Sequence, residues 1–190
     1  ASSAAIYGDE PSLPKNEQSV IQPISPYGYE KLMSEHYMDL YSQLFNLETI
    51  ILRYFNVYGP RQDPSSEYSG VISIFEEKFS KNERPYIYGN GKQYRDFFHV
   101  KDLAKVNISA MHQPYDPQSR LFCCGIGVGK SINELFNIFC KKYNKEWSPV
   151  YRKRREGDIV GSFSDNSKML SLLDEVGLIN LSDGILSLSQ

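Results

Sequence analysis

The stretch LETIILRYFNVYG, residues 47–59, decides the fold class of this chain. It is mostly β-branched, aliphatic and aromatic, which is typical of a strand covered on both faces. A pattern that predicts a long amphipathic helix over residues 26–45 precedes it, and a short turn at Asn46 separates the two. A helix followed by such a strand is a unit of a parallel α/β sheet. We therefore expect an α/β fold.

Helix and strand patterns continue to alternate on both sides of this unit. ASSAAIYGD at the N-terminus resembles the end of a strand, and GPRQDPSSEYSG, residues 59–70, is a loop that leaves the sheet. Residues 84–100 predict two short strands joined by a Gly-Asn-Gly turn. Ser131 is the expected N-cap of one helix, with Glu134 at the capping-box position. Further helices are predicted over 71–83, 101–113 and 131–144, a buried strand over 120–127, and one or two helices in the tail, 164–190.

Composition and charge exclude several classes of partner. The chain has 190 residues, of which 41% are hydrophobic and 23% charged, as in ordinary globular proteins. Its formal net charge of -2 predicts no affinity for nucleic acid or an anionic membrane, so local positive groups must hold any anionic ligand. No apolar run approaches the ~20 residues of a membrane span. We expect neither nucleic acid nor a membrane among the partners.

Cysteines and histidines predict no metal site. Cys123, Cys124 and Cys140 are odd in number and lack CxxC spacing. Cys123 and Cys124 lie in an apolar run, so we expect them to be buried free thiols, and a reducing, cytoplasmic location fits. The three histidines are scattered along the chain and form no ligand cluster.

A tyrosine and a lysine at the start of the long helix are candidates for acid–base chemistry. In SPYGYEK, residues 25–31, Tyr27 and Lys31 are four apart and therefore share a helix face, whereas Tyr29 points away. A tyrosine ordinarily loses its proton near pH ~10. A neighbouring ammonium group stabilises the phenolate, which makes it a usable base at neutral pH.

The spacing alone is weak evidence, because Tyr88 and Lys92 repeat it inside a glycine-rich turn. GIGVGKS, residues 125–131, is a second misleading pattern. A phosphate-binding P-loop would need glycine where Cys124 stands, and a dinucleotide fingerprint would need glycine in place of Lys130. We expect these glycines to form a turn that leads into the next helix, and no dinucleotide phosphate loop in this chain.

The ordered motifs together carry more information than any one of them. Six motifs follow one another along residues 1 to about 168, in the order SS, YG, SPYGYEK, RYFNVYGPRQDP, YGNGKQYRDFFHVKDLA and RREGD. In this order they resemble the NAD-dependent epimerase/dehydratase branch of the extended short-chain dehydrogenase/reductases, most closely the UDP-hexose 4-epimerases. The family's opening half, with its glycine-rich NAD loop, is absent, so we expect a fragment of a longer protein.

The resemblance implies a particular architecture. Residues 1–58 and 98–125 would be the remainder of an NAD-binding domain, the C-terminal part of a Rossmann-like parallel sheet with helices on both faces. Residues 59–97 and 126–190 would form a smaller α/β domain that binds the nucleotide sugar. The family also implies a homodimer, held by a helix bundle that includes residues 26–45. Apolar residues at helical spacing on that helix are expected to be buried: Met33, Tyr37, Met38, Tyr41 and Leu44.

By resemblance, three residues would carry the chemistry. Tyr27 would be the base at the sugar O4, Ser3 would hydrogen-bond the same oxygen, and Lys31 would hold the nicotinamide ribose. All three would contact NAD, and Phe55 would contribute a backbone contact beside the nicotinamide. Dehydratases of this branch carry a carboxylate after the position of Ser3, where this chain has Ala4 and Ala5. Alanine cannot move a proton, which favours epimerisation over water elimination.

The remaining motifs match the groups that hold a UDP-sugar in the family. Asn56 corresponds to the amide near the diphosphate and sugar, and an amide there favours a neutral hexose over a uronic acid. Arg95 and Arg155 correspond to the diphosphate clamps, since guanidinium forks suit phosphate oxygens. Asp158 corresponds to the carboxylate that contacts the ribose. Residues on the uridine side are Gly70, Val71, Tyr86 and Tyr88.

Ser162 bears on the choice of sugar. Some relatives restricted to unmodified hexoses carry a tyrosine at this position, and a serine leaves room for an acetamido group. The expected substrates are therefore N-acetylated UDP-hexoses, alone or beside the plain ones.

Two alternatives stay open at this point. The first is another nucleotide-sugar reaction, either uronate epimerisation or decarboxylation and dehydration. The second is an inactive fragment or a binding module that lacks the NAD loop, and residues 1–190 on their own are expected to be inactive.

Overall fold

The computed structural model describes residues 1–66, 69–155, 157–173 and 177–189. Helices and strands alternate along them, in line with the sequence pattern. The strands are β1 (Ser2–Ser3), β2 (Ile51–Tyr54), β3 (Asn56–Tyr58), β4 (Tyr86–Tyr88), β5 (Tyr94–His99), β6 (Leu121–Cys124), β7 (Gly129–Ser131), β8 (Val150–Arg152) and β9 (Gly161–Ser162). The helices are α1 (Pro26–Phe45), α2 (Val71–Ser80), α3 (Val100–His112), α4 (Ile132–Lys142), α5 (Ser167–Leu170) and α6 (Leu181–Leu186).

The first sheet has the order β1-β2-β6, and all three strands are parallel. Ser2 pairs with Arg53, and Leu52 pairs with Phe122. Helix α1 connects β1 to β2 and α3 precedes β6, so the parallel α/β fold class is confirmed. A buried apolar cluster that includes Leu52, Phe98, Leu103, Val106 and Phe122 joins this sheet to α3.

The predicted strand over 47–59 is interrupted at Phe55. The Phe55 amide donates to the carbonyl of Cys124 at 3.0 Å, and the chain then leaves the first sheet. Its continuation, β3, pairs in parallel with β5 in a second sheet that also contains β7 and β9. One extended segment therefore crosses from one sheet to the other.

The Gly-Asn-Gly turn joins two strands, as expected, but these strands do not pair with each other. Strand β4 pairs in parallel with β8, whereas β5 belongs to the second sheet. Gly89 and Gly91 have φ angles of 75° and 72°, which favour glycine and let the chain change direction there. Sequence analysis missed β7, β8 and β9, because two or three residues are too few to show an alternating pattern.

A second apolar core lies between α2, α4 and α6. Phe75 packs edge-to-face on Phe136 and Phe139, with ring centroids 6.1 and 5.8 Å apart. Helix α4 begins at the predicted cap, since Ser131 and Glu134 form the complete capping box. This core supports the residues of α2 that line the cleft described below.

Helix α1 has the predicted bounds and ends at Asn46, which adopts the left-handed conformation. Its inner face is fixed by a buried ion pair. The Arg53 guanidinium donates to both carboxylate oxygens of Glu35, at 2.9 and 2.8 Å, and the Ser2 hydroxyl also donates to Glu35. Arg53 further donates to the Tyr7 hydroxyl at 2.9 Å. This network joins α1 to β1 and β2.

One expectation about α1 is wrong for the single chain. The apolar residues predicted to be buried are exposed, for example Met33 by 53% and Leu44 by 64%. Tyr37, Met38 and Tyr41 are exposed on the same helix. Residues such as Gly28 and Glu35, rather than the large apolar ones, face the sheet. The periodicity identified an apolar face correctly, but this face is exposed in the part of the chain that the structure describes.

The predicted tail helices are present as α5, α6 and a terminal 3-10 turn, although residues 174–176 and 190 lie outside the described part. Residues 67 and 68 of the predicted loop also lie outside it. The division into two domains stays a prediction. Over the described ranges, no helix is long and apolar enough to cross a membrane, and no cluster of His, Cys, Asp or Glu could hold a metal ion.

Candidate active site

A cleft made of two adjoining cavities lies where β1 and β2 end. The larger cavity has a volume of about 460 Å³ and the smaller about 350 Å³, and Asn56 and Arg95 line both. The carboxyl ends of parallel strands are the usual place for ligand sites in α/β sheets. The structure brings every predicted site residue to this cleft. The larger cavity has Ser3, Tyr27, Lys31, Phe55, Asn56, Gly70, Arg95 and Ser162, and the smaller Asn56, Val71, Tyr86, Tyr88, Arg95, Arg155 and Asp158.

The start of α1 places Tyr27 and Lys31 in the larger cavity. The Ser25 side chain caps the helix by accepting from the Gly28 amide at 3.1 Å. Gly28 allows close packing, because a Cβ there would lie 2.8 Å from the carbonyl oxygen of Ala5. The Lys31 ammonium lies 5.5 Å from the centre of the Tyr27 ring. The two side chains therefore converge as their spacing predicts, whereas Tyr29 is 60% exposed and does not line the cavity.

Ser3 reaches the same cavity from the end of β1. Its hydroxyl accepts a hydrogen bond from the Ala5 amide at 3.2 Å and caps the short 3-10 turn that follows. Ala4 and Ala5 also line the cavity, so this wall carries no carboxylate. The arrangement can hydrogen-bond an oxygen atom and transfer its proton.

Arg95 lies at the junction of the two cavities, so any ligand that fills both must pass it. Its guanidinium donates to the Asp158 carboxylate at 2.5 Å and to the Tyr94 carbonyl at 2.9 Å. Burial lowers the pKa of Arg95, and the Asp158 carboxylate opposes this shift. A partly buried cation at the middle of the cleft is suited to an anionic group of a ligand.

Two tyrosines form an aromatic wall on the smaller cavity. Tyr86 and Tyr88 point to the same side of β4, while Ile87 between them is buried. The Arg155 guanidinium stacks 4.0 Å from the centre of the Tyr88 ring, and Arg152 stacks 4.2 Å from that of Tyr86. Sequence analysis did not single out Arg152, because a run of charges is usually a solvated face. The signal that could have identified Arg152 is the alternation of aromatic residues in β4, because arginine side chains commonly stack on exposed aromatic rings.

Ser162 is buried in β9 and pairs with Arg95 of β5 in the sheet register. Asp96, the neighbour of Arg95, is buried and binds the segment that follows β9. Its carboxylate accepts from the Ser164 amide at 3.0 Å and from the Ser164 hydroxyl at 2.7 Å. Strand β5 therefore holds the wall that contains Ser162, both at β9 itself and at Ser164 just after it.

The glycine-rich stretch 125–131 has a structural partner. The amides of Ile126 and Gly127 donate to the Asp96 carboxylate at 2.8 and 3.0 Å. Burial raises the pKa of Asp96, and its hydrogen bonds to this turn and to Ser164 act against that shift. The turn leads into α4 as predicted, and its amides are used within the protein.

Comparison with known proteins agrees with this fold, which is that of a Rossmann-like α/β protein. Residues 1–125 match the NAD dependent epimerase/dehydratase family, and the chain belongs to that family. Its resemblance to this family is thereby confirmed.

Three similar proteins are epimerases by name. A protein of Methanocaldococcus jannaschii with the provisional name UDP-glucose 4-epimerase is 42% identical over 90% of this chain and 55% of its own length. The UDP-N-acetylglucosamine 4-epimerase from Methanobrevibacter ruminantium M1, in complex with UDP-N-acetylmuramic acid, is 34% identical, with a TM-score of 0.91 over 98% of this chain and 59% of that chain. The UDP-glucose 4-epimerase of Thermotoga maritima, in complex with UDP-glucose, is 34% identical, with a TM-score of 0.90 over 99% of this chain and 60% of that chain. This chain thus spans little more than half the length of each.

The cofactor of the family is NAD, and the larger cavity fits one end of it. Tyr27 and Lys31 can bind ribose hydroxyl groups, and the Phe55 backbone lines the same space. The amides of residues 126 and 127 in the glycine-rich turn are not available to the cofactor phosphates, since they donate to Asp96. The fit of the larger cavity concerns the nicotinamide and its ribose.

Proposed function

We propose that the natural protein containing this chain is an NAD-dependent UDP-sugar 4-epimerase that accepts N-acetylated hexoses. The observation that carries the proposal is the meeting of Ser3, Tyr27 and Lys31 in one cavity whose wall has Ala4 and Ala5 in place of a carboxylate. Such a site supports reversible oxidation at one carbon. None of the described residues that line this cavity is a carboxylic acid, which the elimination of water would require.

The residues of this chain divide the work of the reaction. Tyr27 takes the proton from the sugar O4 hydroxyl and later returns it, and Ser3 donates a hydrogen bond to the same oxygen. Lys31 stabilises the Tyr27 phenolate and binds the ribose of the cofactor. When bound, NAD supplies the exchange of a hydride with the sugar C4. The cleft would hold the 4-keto sugar close to the cofactor and leave it room to turn over, so that either face of C4 could be presented to the nicotinamide.

The smaller cavity is proposed to hold the UDP portion. Arg95 and Arg155 offset the diphosphate charge, Asp158 binds the ribose, and Asn56 contacts the region between diphosphate and sugar. Val71, Tyr86 and Tyr88 surround the uracil, and Gly70, which lines the larger cavity, precedes Val71 on the uridine side. The position of Arg95 between the two cavities supports this order, because the diphosphate lies between the sugar and the nucleoside in a UDP-sugar.

The proposal is tested by incubating the natural full-length protein with NAD and, separately, with UDP-N-acetylglucosamine and UDP-glucose. The C4 epimer of at least one is the expected product, detected by nuclear magnetic resonance of the sugar. Absence of a C4 epimer from every UDP-hexose would overturn the proposed function.

Replacing Ser162 with tyrosine is expected to impair acetamido sugars more than plain hexoses. Ser162 lines the larger cavity, and a tyrosine ring there would occupy the space of an acetamido group. We expect kcat/KM for UDP-N-acetylglucosamine to fall about tenfold to a hundredfold relative to that for UDP-glucose. Ser162→Ala is the matched control, since it removes the hydroxyl without filling space. Equal loss on both sugars in the tyrosine variant would contradict a role in sugar selection.

We also propose that the exposed apolar face of α1 forms a homodimer. The face includes Met33, Tyr37 and Leu44, and large exposed apolar patches commonly mark interfaces. The double variant Met33→Glu/Tyr37→Glu is expected to shift the protein from dimer to monomer in sedimentation velocity. The control is Ile108→Glu/Met111→Glu, two exposed positions of α3. A monomeric parent protein, or a monomer from both variants, would contradict this interface.

A further inference from the structure

The Arg95–Asp158 ion pair lies across the centre of the cleft. Arg95 lines both cavities, whereas Asp158 lines the smaller one and a third cavity of about 370 Å³ on its far side. Both side chains are largely buried, with 13% of Arg95 and 22% of Asp158 exposed. Charges at this depth interact more strongly than exposed ones, because less water screens them.

Both Nη atoms of Arg95 already make a hydrogen bond, which uses two of the five N–H donors of its guanidinium. Nη1 donates to the Tyr94 carbonyl at 2.9 Å, and Nη2 donates to Asp158 Oδ1 at 2.5 Å. The Asp158 backbone is fixed as well, since its carbonyl accepts from Arg154 and its amide donates to the Arg155 carbonyl at 3.4 Å. The carboxylate can thus change its partner by side-chain rotation, without movement of the chain.

We infer that Asp158 is an internal competitor for anionic ligands at Arg95 and thereby sets the selectivity of the site for nucleotide sugars over free phosphates. This inference rests on the proposed function, because it takes a UDP-sugar as the ligand. A phosphate that takes the N–H bonded to Asp158 must displace the carboxylate, and one that takes another N–H of Arg95 lies close to its negative charge. In both cases Asp158 opposes the binding of the phosphate.

The exchange has different consequences for different ligands. A UDP-sugar carries hydroxyl groups beside its phosphates, and a displaced carboxylate can accept a hydrogen bond from one of them. Inorganic pyrophosphate has phosphate oxygens, and more negative charge than the diphosphate of a UDP-sugar, but no sugar hydroxyl group, so the carboxylate stays uncompensated beside a negative ligand. Asp158 therefore weakens the binding of phosphates alone and is neutral or favourable for the nucleotide sugar.

The test measures pyrophosphate and UDP affinities of the natural full-length protein by calorimetry at constant ionic strength. In Asp158→Asn, pyrophosphate is expected to bind about tenfold more tightly than in the parent, and UDP to gain less because the ribose contact is weakened. Asp158→Ala serves as a second variant in case asparagine disturbs the turn. Asp116→Asn is the control, an exposed residue at which the same charge is removed. Adding Arg95→Met to Asp158→Asn is expected to abolish the gain.

Unchanged or weaker pyrophosphate binding in both Asp158 variants would overturn the inference. So would the same gain in Asp116→Asn, which would mean a general effect of net charge, or a gain that survives Arg95→Met. These outcomes are separate from the test of the proposed function. A protein that epimerises UDP-hexoses without the pyrophosphate effect contradicts only the role of Asp158, and the pyrophosphate effect without epimerisation contradicts only the reaction.

Discussion

Tyr27→Phe is expected to lower kcat for epimerisation by about 10²–10⁴-fold, the usual contribution of a positioned acid–base group. Phenylalanine keeps the ring and its contact with the Lys31 ammonium but cannot take the proton from the sugar O4. Binding of UDP and the melting temperature are expected to change little. The readout is the initial rate with saturating UDP-hexose and NAD, together with UDP affinity measured by calorimetry.

Tyr29→Phe provides a matched control two residues away. It removes the same hydroxyl from the same helix, at a side chain that is largely exposed and outside the cleft. Its rate is expected to equal that of the parent. Full activity in Tyr27→Phe would refute the assignment of Tyr27, and an equal loss in both variants would point to a general effect on α1.

Glu35→Gln is expected to cost about 3–5 kcal/mol of folding free energy, since it removes one partner of a buried ion pair. The Arg53 guanidinium is nearly inaccessible and donates to both oxygens of Glu35. Glutamine has similar size but no charge, so the buried cation would lose its counter-ion. The free energy of unfolding is measured by urea titration, with circular dichroism as the probe.

Glu77→Gln is the control for that measurement. The Glu77–Lys81 pair is exposed and spans one helical turn, and such pairs contribute at most ~1 kcal/mol. A double-mutant cycle with Arg53→Met isolates the coupling between Glu35 and Arg53. Similar losses of unfolding free energy in Glu35→Gln and Glu77→Gln would show that the buried pair stabilises the fold no more than an ordinary surface pair. Because Glu35 lies one turn beyond Lys31 on α1, the same variant is also expected to reduce activity through misplacement of Lys31.

Local signals in the sequence predicted much of the fold. The end of α1 followed from the turn at Asn46, and the capping box of α4 followed from Ser131 and Glu134. The very short strands and the crossing at Phe55 could not be predicted. They depend on long-range pairings, such as that of Arg95 with Ser162, which leave no periodic signal in so few residues.

The site was predicted by the order of motifs rather than by any single spacing. Tyr27 and Lys31 converge because a helix repeats every ~3.6 residues, and that could be derived. The convergence of Arg95, Asp158 and Ser162 could not, since it requires β5 and β9 to be neighbours. Sequence analysis treated Arg53 as an ordinary residue of a buried strand and missed its ion pair with Glu35. A charge inside an apolar run is the signal that could have identified it, because a buried cation needs a partner.

The crossing at Phe55 has a consequence for the accuracy of the reaction. The residue proposed to lie beside the nicotinamide and the residue proposed to lie beside the diphosphate, Phe55 and Asn56, are consecutive in one extended segment. Their Cα atoms are therefore held ~3.8 Å apart by a peptide bond. Bond lengths and angles, rather than the fit between two sheets, then set the distance between the cofactor contact and the substrate contact. If the two sheets moved relative to each other, the peptide bond would still keep the Cα atoms of these two contact residues at the same separation.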